Sequence, residues 1–158
     1  MELQEFVGSF VTFSPDRKKI ITNTWDRNVC VWDAESGQEL YRLEGSHAQF
    51  SPDGKIIISS GGVNSVRIGD SDTGKELQKI DGVRYPAFSL DGKRIVVHGG
   101  GAVQILDAES GNVLQKLIGR LHRISPDGKK IITTVTGSGT ITSMVGIGDV
   151  TNLVWNLE

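Results

Sequence analysis

Short runs of consecutive apolar, β-branched residues recur along the chain: Ile20-Ile21, Ile56-Ile57-Ile58, Ile95-Val96 and Ile131-Ile132. Apolar side chains at successive positions suit a strand covered on both faces, so each run predicts an inner strand of a sheet. A second pattern follows the first run at Asn28-Val29-Cys30-Val31-Trp32-Asp33, where Val29 and Val31 alternate with their neighbours, predicting another strand. A third pattern is mainly polar: Glu39-Leu40-Tyr41-Arg42-Leu43, Glu76-Leu77-Gln78-Lys79-Ile80 and Val113-Leu114-Gln115-Lys116-Leu117. Those segments predict outer strands with one edge in water.

A turn motif precedes each apolar run. Its copies are Phe13-Ser14-Pro15-Asp16-Arg17, Phe50-Ser51-Pro52-Asp53-Gly54, Phe88-Ser89-Leu90-Asp91-Gly92 and Ile124-Ser125-Pro126-Asp127-Gly128. Pro presets the first corner, Asp bonds its own backbone two residues on, and Gly takes the positive φ that other residues avoid. The four serines are 37, 38 and 36 residues apart, a fixed period that signals a repeat architecture. Asp33, Asp70 and Asp107 recur at 37 and 37. After them come Ser36-Gly37, Thr73-Gly74 and Ser110-Gly111, turns with Gly in the left-handed region.

The segment Asp26-Arg27-Asn28-Val29-Cys30-Val31-Trp32-Asp33 resembles the third-strand signature of the WD-repeat family of β-propellers. Weaker forms stand at Ser65-Val66-Arg67-Ile68-Gly69-Asp70 and Ala102-Val103-Gln104-Ile105-Leu106-Asp107, and Asp149 to Asn156 restores the spacing. The resemblance is to a short, four-repeat member of the bacterial type. It implies an all-β fold, a propeller of four-stranded antiparallel blades with repeats at about 9–45, 46–82, 83–119 and 120–158. Residues 2–8 match an outer strand with no blade before it, while the fourth repeat ends without one. The resemblance therefore implies that residues 2–8 complete the fourth blade, with Leu3 and Phe6 meeting Leu153 and Trp155 at the closure. Four blades per chain are expected to form a half ring that a homodimer completes to eight; a closed four-bladed monomer is the alternative. The family's Gly-His signature survives only in part, as His47 two residues after Gly45, and this leaves more of the stability to packing.

Composition narrows the function. With 37% hydrophobic and 23% charged residues the chain is an ordinary globular protein, and its formal charge of −2 provides no general attraction for nucleic acid. Cys30, alone, cannot form an intrachain disulfide and reads as a small buried side chain. No apolar stretch approaches the roughly 20 residues of a membrane span, and the first residues lack a basic leader, so the expectation is a cytoplasmic protein without membrane contact.

Relative to the first repeat, about twelve extra residues fall between strands two and three of the fourth, within 136–147. Such insertions often serve binding, which makes Ser138, Thr140 and Met144 candidates. Arg84, Tyr85, Arg120 and His122 hold equivalent entry positions and form a second candidate contact patch, Arg and Tyr being favoured at interfaces. His47, His98 and His122 come from different blades with no carboxylate at ligand spacing, so no metal is expected. Most aspartates have turn work, Gly99-Gly100-Gly101 lacks a following helix and Lys, and no cofactor or catalysis is expected. The reading is a non-catalytic scaffold for protein or peptide partners. A self-assembling structural protein, or a propeller with a small-molecule or glycan site at its central channel, are the alternatives.

Overall fold

The computed structural model describes residues 5–62, 64–125, 130–136 and 150–156. They form β-strands throughout, with no helix among the described residues and so none long and apolar enough to cross a membrane. The chain divides into two compact units, Met1–Pro86 and Ala87–Glu158. The first sheet contains β1 (Val11–Phe13), β2 (Lys19–Asn23), β3 (Asn28–Asp33) and β4 (Glu39–Glu44). The second contains β5 (His47–Phe50), β6 (Ile56–Gly61), β7 (Ser65–Asp70) and β8 (Glu76–Asp81). The third contains β9 (Val83–Phe88), β10 (Arg94–Gly99), β11 (Ala102–Asp107) and β12 (Val113–Ile118). The fourth has three described strands, β13 (Arg120–Ile124), β14 (Lys130–Thr136) and β15 (Val150–Asn156). Within each sheet the strands are hydrogen-bonded in chain order, as antiparallel ladders.

The three sequence patterns become three strand positions. The apolar runs are β2, β6, β10 and β14, each between two neighbours, with Ile21, Ile58, Val96 and Ile131 excluded from solvent. The polar strands β4, β8 and β12 lie at the sheet edges, with Leu40, Leu77 and Leu114 exposed. A register shift recurs at one place in three ladders, between Val31 and Trp32, Ile68 and Gly69, and Ile105 and Leu106. Those bulges give Trp32, Gly69 and Leu106 the same backbone station, opposite Ile20, Ile57 and Ile95.

Each unit has its own core. In the first, Ile21, Val29, Val31, Ala48 and Ile57 form a buried cluster, with Tyr41, Leu43 and Phe50 packed on it. In the second, Val96, Val103, Ile105, Leu117 and Ile131 do the same, joined by Ile124 and Trp155. Cys30 is buried and unbridged, and burial raises its thiol pKa.

In the repeated turns Asp and Gly act as the sequence reading assigned, and serine adds a bond of its own. Ser51 Oγ donates to Asp53 Oδ1 at 2.6 Å and accepts from the Ile56 amide at 3.0 Å, while the Lys55 amide donates to Asp53 at 3.1 Å. Ser14 and Ser89 repeat the arrangement with Asp16 and Asp91, the latter even though Leu90 replaces Pro. In the first copy Arg17 takes the left-handed conformation, φ 61°, that Gly54 and Gly92 hold in the next two.

These carboxylates carry a pH dependence. Hydrogen bonds from Ser14, Ser51 and Ser89 hold Asp16, Asp53 and Asp91 below the ordinary 3.8, and amides and hydroxyls at Ser36, Thr73 and Ser110 do the same for Asp33, Asp70 and Asp107. A depressed folded-state pKa stabilises the fold fully above the unfolded-state value, and the contribution is lost as pH falls through the folded value. The urea midpoint is therefore expected to stay level from about pH 7 to about pH 5 and to fall below about pH 4. A midpoint that rises on acidification would contradict this assignment.

Candidate functional site

In the first unit the strand connections are tied together at one end of the sheets. The Gly45 amide donates to Arg27 O at 2.9 Å, Ser46 N to Ser60 O at 2.8 Å, and Gly82 N to Asn64 O at 2.7 Å. The β2–β3 turn, the β4–β5 connection, the β6–β7 turn and the entry to β9 thus share that end. Gly45 has φ 144° and sits against the β6 backbone: an added Cβ would lie 2.6 Å from Ser60 O, so only Gly allows the approach.

A cavity of about 610 Å³ opens among these connections. Phe10, His47, Gln49, Ser60, Arg84 and Tyr85 are among the residues that line it. Gln49 Nε2 donates to Pro86 O at 2.8 Å and fixes one wall. Tyr85 is 70% exposed and holds φ 55°, a left-handed conformation that is costly for a bulky residue and concentrates at functional sites. The Arg84 guanidinium lies 5.7 Å from the Tyr85 ring centroid. On the adjoining β2–β3 turn, Trp25 is 92% exposed. Beside it Thr24 Oγ1 donates to Asp26, and Asn28 Nδ2 donates to Asp26 at 2.8 Å; both bonds lower the Asp26 pKa. Among the described residues, Arg27 and Arg84 form no ion pair.

Of the residues proposed from sequence, Arg84 and Tyr85 come together on this cavity, and His47 joins them. Arg120 opens β13 in the second unit and is exposed, and His122 follows on the same strand. Ser138, Thr140, Met144 and Leu3 lie outside the described residues. Phe6 meets Trp32 edge to face at 5.8 Å between centroids. Leu153 stands in β15 opposite Thr133, and Trp155 Nε1 donates to Thr133 Oγ1 at 2.9 Å. Among the described residues no group of three His, Cys, Asp or Glu side chains could hold a metal ion. Trp25 was missed; its signal was a large aromatic placed immediately before the Asp26-Arg27 turn.

The tryptophans reveal a repeated internal bond. Trp32 Nε1 donates to Thr22 Oγ1 at 2.9 Å, as Trp155 does to Thr133, and Thr22 Oγ1 donates onward to Val7 O at 2.7 Å. The Val7 carbonyl thus ends the chain of bonds in the first sheet. Val7 to Ser9 also meet the first sheet as Glu44 to Ser46 meet the second: Ser59 Oγ donates to Glu44 O at 3.1 Å, and Ser9 N donates to Asn23 O at 2.7 Å as Ser46 N does to Ser60 O.

A family model described as WD domain, G-beta repeat matches residues 4–33, which take in β1 to β3. Solved structures agree: the crystal structure of RRP9 WD40 repeats matches with a TM-score of 0.59 at 20% identity, over 70% of this chain. Residues 4–33 carry a WD repeat, and the chain shares the fold of WD-repeat β-propellers. Its three complete four-stranded sheets are propeller blades of that kind. The chain spans 38% of the matched RRP9 chain. In all, 984 chains of solved structures match, and no curated protein sequence does. WD-repeat propellers generally act as protein interaction scaffolds and are typically non-catalytic.

Proposed function

We propose that this WD-repeat chain is a non-catalytic platform that binds a protein or peptide segment at the loop end of its first two blades. The observation that carries the reading is Tyr85, an exposed aromatic in a strained backbone conformation on the rim of the 610 Å³ cavity. Trp, Tyr and Arg supply most interface hot spots, and Trp25, Tyr85, Arg27 and Arg84 cluster at this end. Two guanidinium groups with no ion pair among the described residues favour a partner with a carboxylate, and Phe10 with the Tyr85 ring favours an apolar side chain beside it. Selection from a displayed peptide library should enrich acidic peptides that carry a large apolar residue. Replacing Trp25 and Tyr85 by Ala should weaken the selected peptide about 30-fold per residue and on the order of 1,000-fold together, as hot-spot losses of roughly 2 kcal/mol each imply. Unchanged affinity in that folded variant would refute the platform at this site.

A second reading, self-association into an eight-bladed ring of two chains, is favoured by the uncovered face of β1. Val11 and Phe13 are 56% and 57% exposed. Their counterparts 37 residues on, Ala48 and Phe50, belong to the core cluster or pack on it. The stance of Val7 to Ser9, which copies the exit of an outer strand, supports a blade in front of the first sheet. In this reading residues 2–8 of one copy finish the fourth blade of the other, and a two-fold axis makes both junctions identical.

A further inference from the structure

Position 69 is where the second blade departs from the first. Gly69 lies 37 residues after Trp32 and keeps the same station: both follow the bulge, and they stand opposite Ile57 and Ile20 respectively. In the third blade Leu106 takes that station and is fully buried. Gly69 brings no side chain to it, and a cavity of about 190 Å³ lies there.

Two walls of this cavity stand 37 residues after the two side chains that meet the Trp32 indole, Phe6 and Thr22. Leu43 stands 37 residues after Phe6, whose ring meets Trp32, and Glu44 stands 37 after Val7. Ser59 likewise replaces Thr22. The polar logic is conserved as well. Thr22 Oγ1 donates to the Val7 carbonyl and accepts from the indole N–H, whereas Ser59 Oγ donates to the Glu44 carbonyl at 3.1 Å and takes no donor from the described residues. The acceptor site that holds an indole in the first blade is thus present in the second.

We propose that the second blade binds one neutral indole-type small molecule in this cavity, its ring against Leu43 and Ile57 and its N–H donated to Ser59 Oγ. The volume suffices, since a cavity of about 150 Å³ accepts a benzene ring. Charge sets the selectivity. Arg67 is bonded to both Glu44 and Glu76, and Arg42 is bonded to Glu39 at 2.6 Å, so each guanidinium on the wall already has carboxylate partners. The Arg67 Nε–H on this wall is buried and has no partner among the described residues, but the charge of its guanidinium is balanced by Glu44 and Glu76, so an acidic indole gains no unpaired cation and a neutral ring is preferred. The site is separate from the 610 Å³ cavity and does not depend on the platform reading.

The test titrates indole into the full chain by calorimetry and by thermal unfolding. Saturable binding of one indole per chain is expected, with a rise in Tm that grows with indole concentration. Gly69→Trp should abolish binding by filling the cavity with the chain's own indole. Gly69 lies outside the left-handed region, and an added Cβ meets Lys75 O at 3.3 Å and Ile57 Cγ2 at 3.4 Å, so the Lys75 carbonyl must give by a few tenths of an ångström. Gly69→Leu, which copies the third blade, serves where the larger variant does not fold. 1-Methylindole, which has no N–H, should bind about five-fold more weakly than indole, and Ser59→Ala should erase that difference. Absence of saturable binding, full indole affinity in a folded Gly69 variant, or a preference over 1-methylindole that survives in Ser59→Ala would overturn the proposal.

Discussion

Ile57→Ala is expected to lower the unfolding free energy by about 2–5 kcal/mol, with a matching fall in the urea midpoint. Ile57 is a member of the cluster formed by Ile21, Val29, Val31 and Ala48, in which residues of β2 and β3 meet residues of β5 and β6. Its loss removes apolar contacts from both sheets at once, and the wall it shares with the cavity beside Gly69 has little material with which to close the gap. Leu77→Ala is the control: Leu77 is exposed on the edge strand β8, and its truncation should cost less than about 0.5 kcal/mol. Equal effects from the two substitutions would mean that the cluster does not hold the first two blades together.

The second large effect concerns assembly. If two chains form one ring, light scattering on the eluted protein gives a mass near twice 17.1 kDa, and Val11→Asp combined with Phe13→Asp reduces it to one chain. Both side chains are already largely in water, so the fold has little to lose from the exchange. In a ring, however, a neighbouring blade would bury two unpaired carboxylates, each at a cost of several kcal/mol, and the junction opens. A wild-type mass near one chain would eliminate the two-chain ring. A two-chain mass that persists in the double variant would move the contact to another surface.

Much of the architecture was legible because repetition averages out local ambiguity. A single apolar run such as Ile56-Ile57-Ile58 fits a strand or a buried helical segment equally well, but four runs behind four copies of a turn leave one solution. The strand borders followed, since Ser51 and Asp53 close the turn by side-chain bonds that depend on only a few adjacent residues. The candidate contact surface was legible in part. Arg84 and Tyr85 were visible as residue types suited to contact, whereas Trp25 gains its meaning from three-dimensional neighbours: Arg27 on its turn is bonded to Gly45, beside the cavity wall at Ser46 and His47. The lost tryptophan at position 69 was equally plain in sequence. Whether a neighbour refills such a vacancy is a packing outcome, and the third blade, which uses Leu106, differs from the second in this respect.

The Ser-x-Asp turns have a consequence for how this chain can change. Every bond that shapes them is internal to one 37-residue stretch, so copying the DNA for residues 46–82 would deliver a module complete with its own corners and bulge. Lengthening by whole modules therefore keeps every turn intact and leaves only the seam to be refitted, where Tyr41 and Glu44 now bond Ser71, Ser59 and Arg67 of the next blade, while a partial copy would strand an apolar run without its closing hairpin. The array can grow in units of one blade while the individual turns stay untouched.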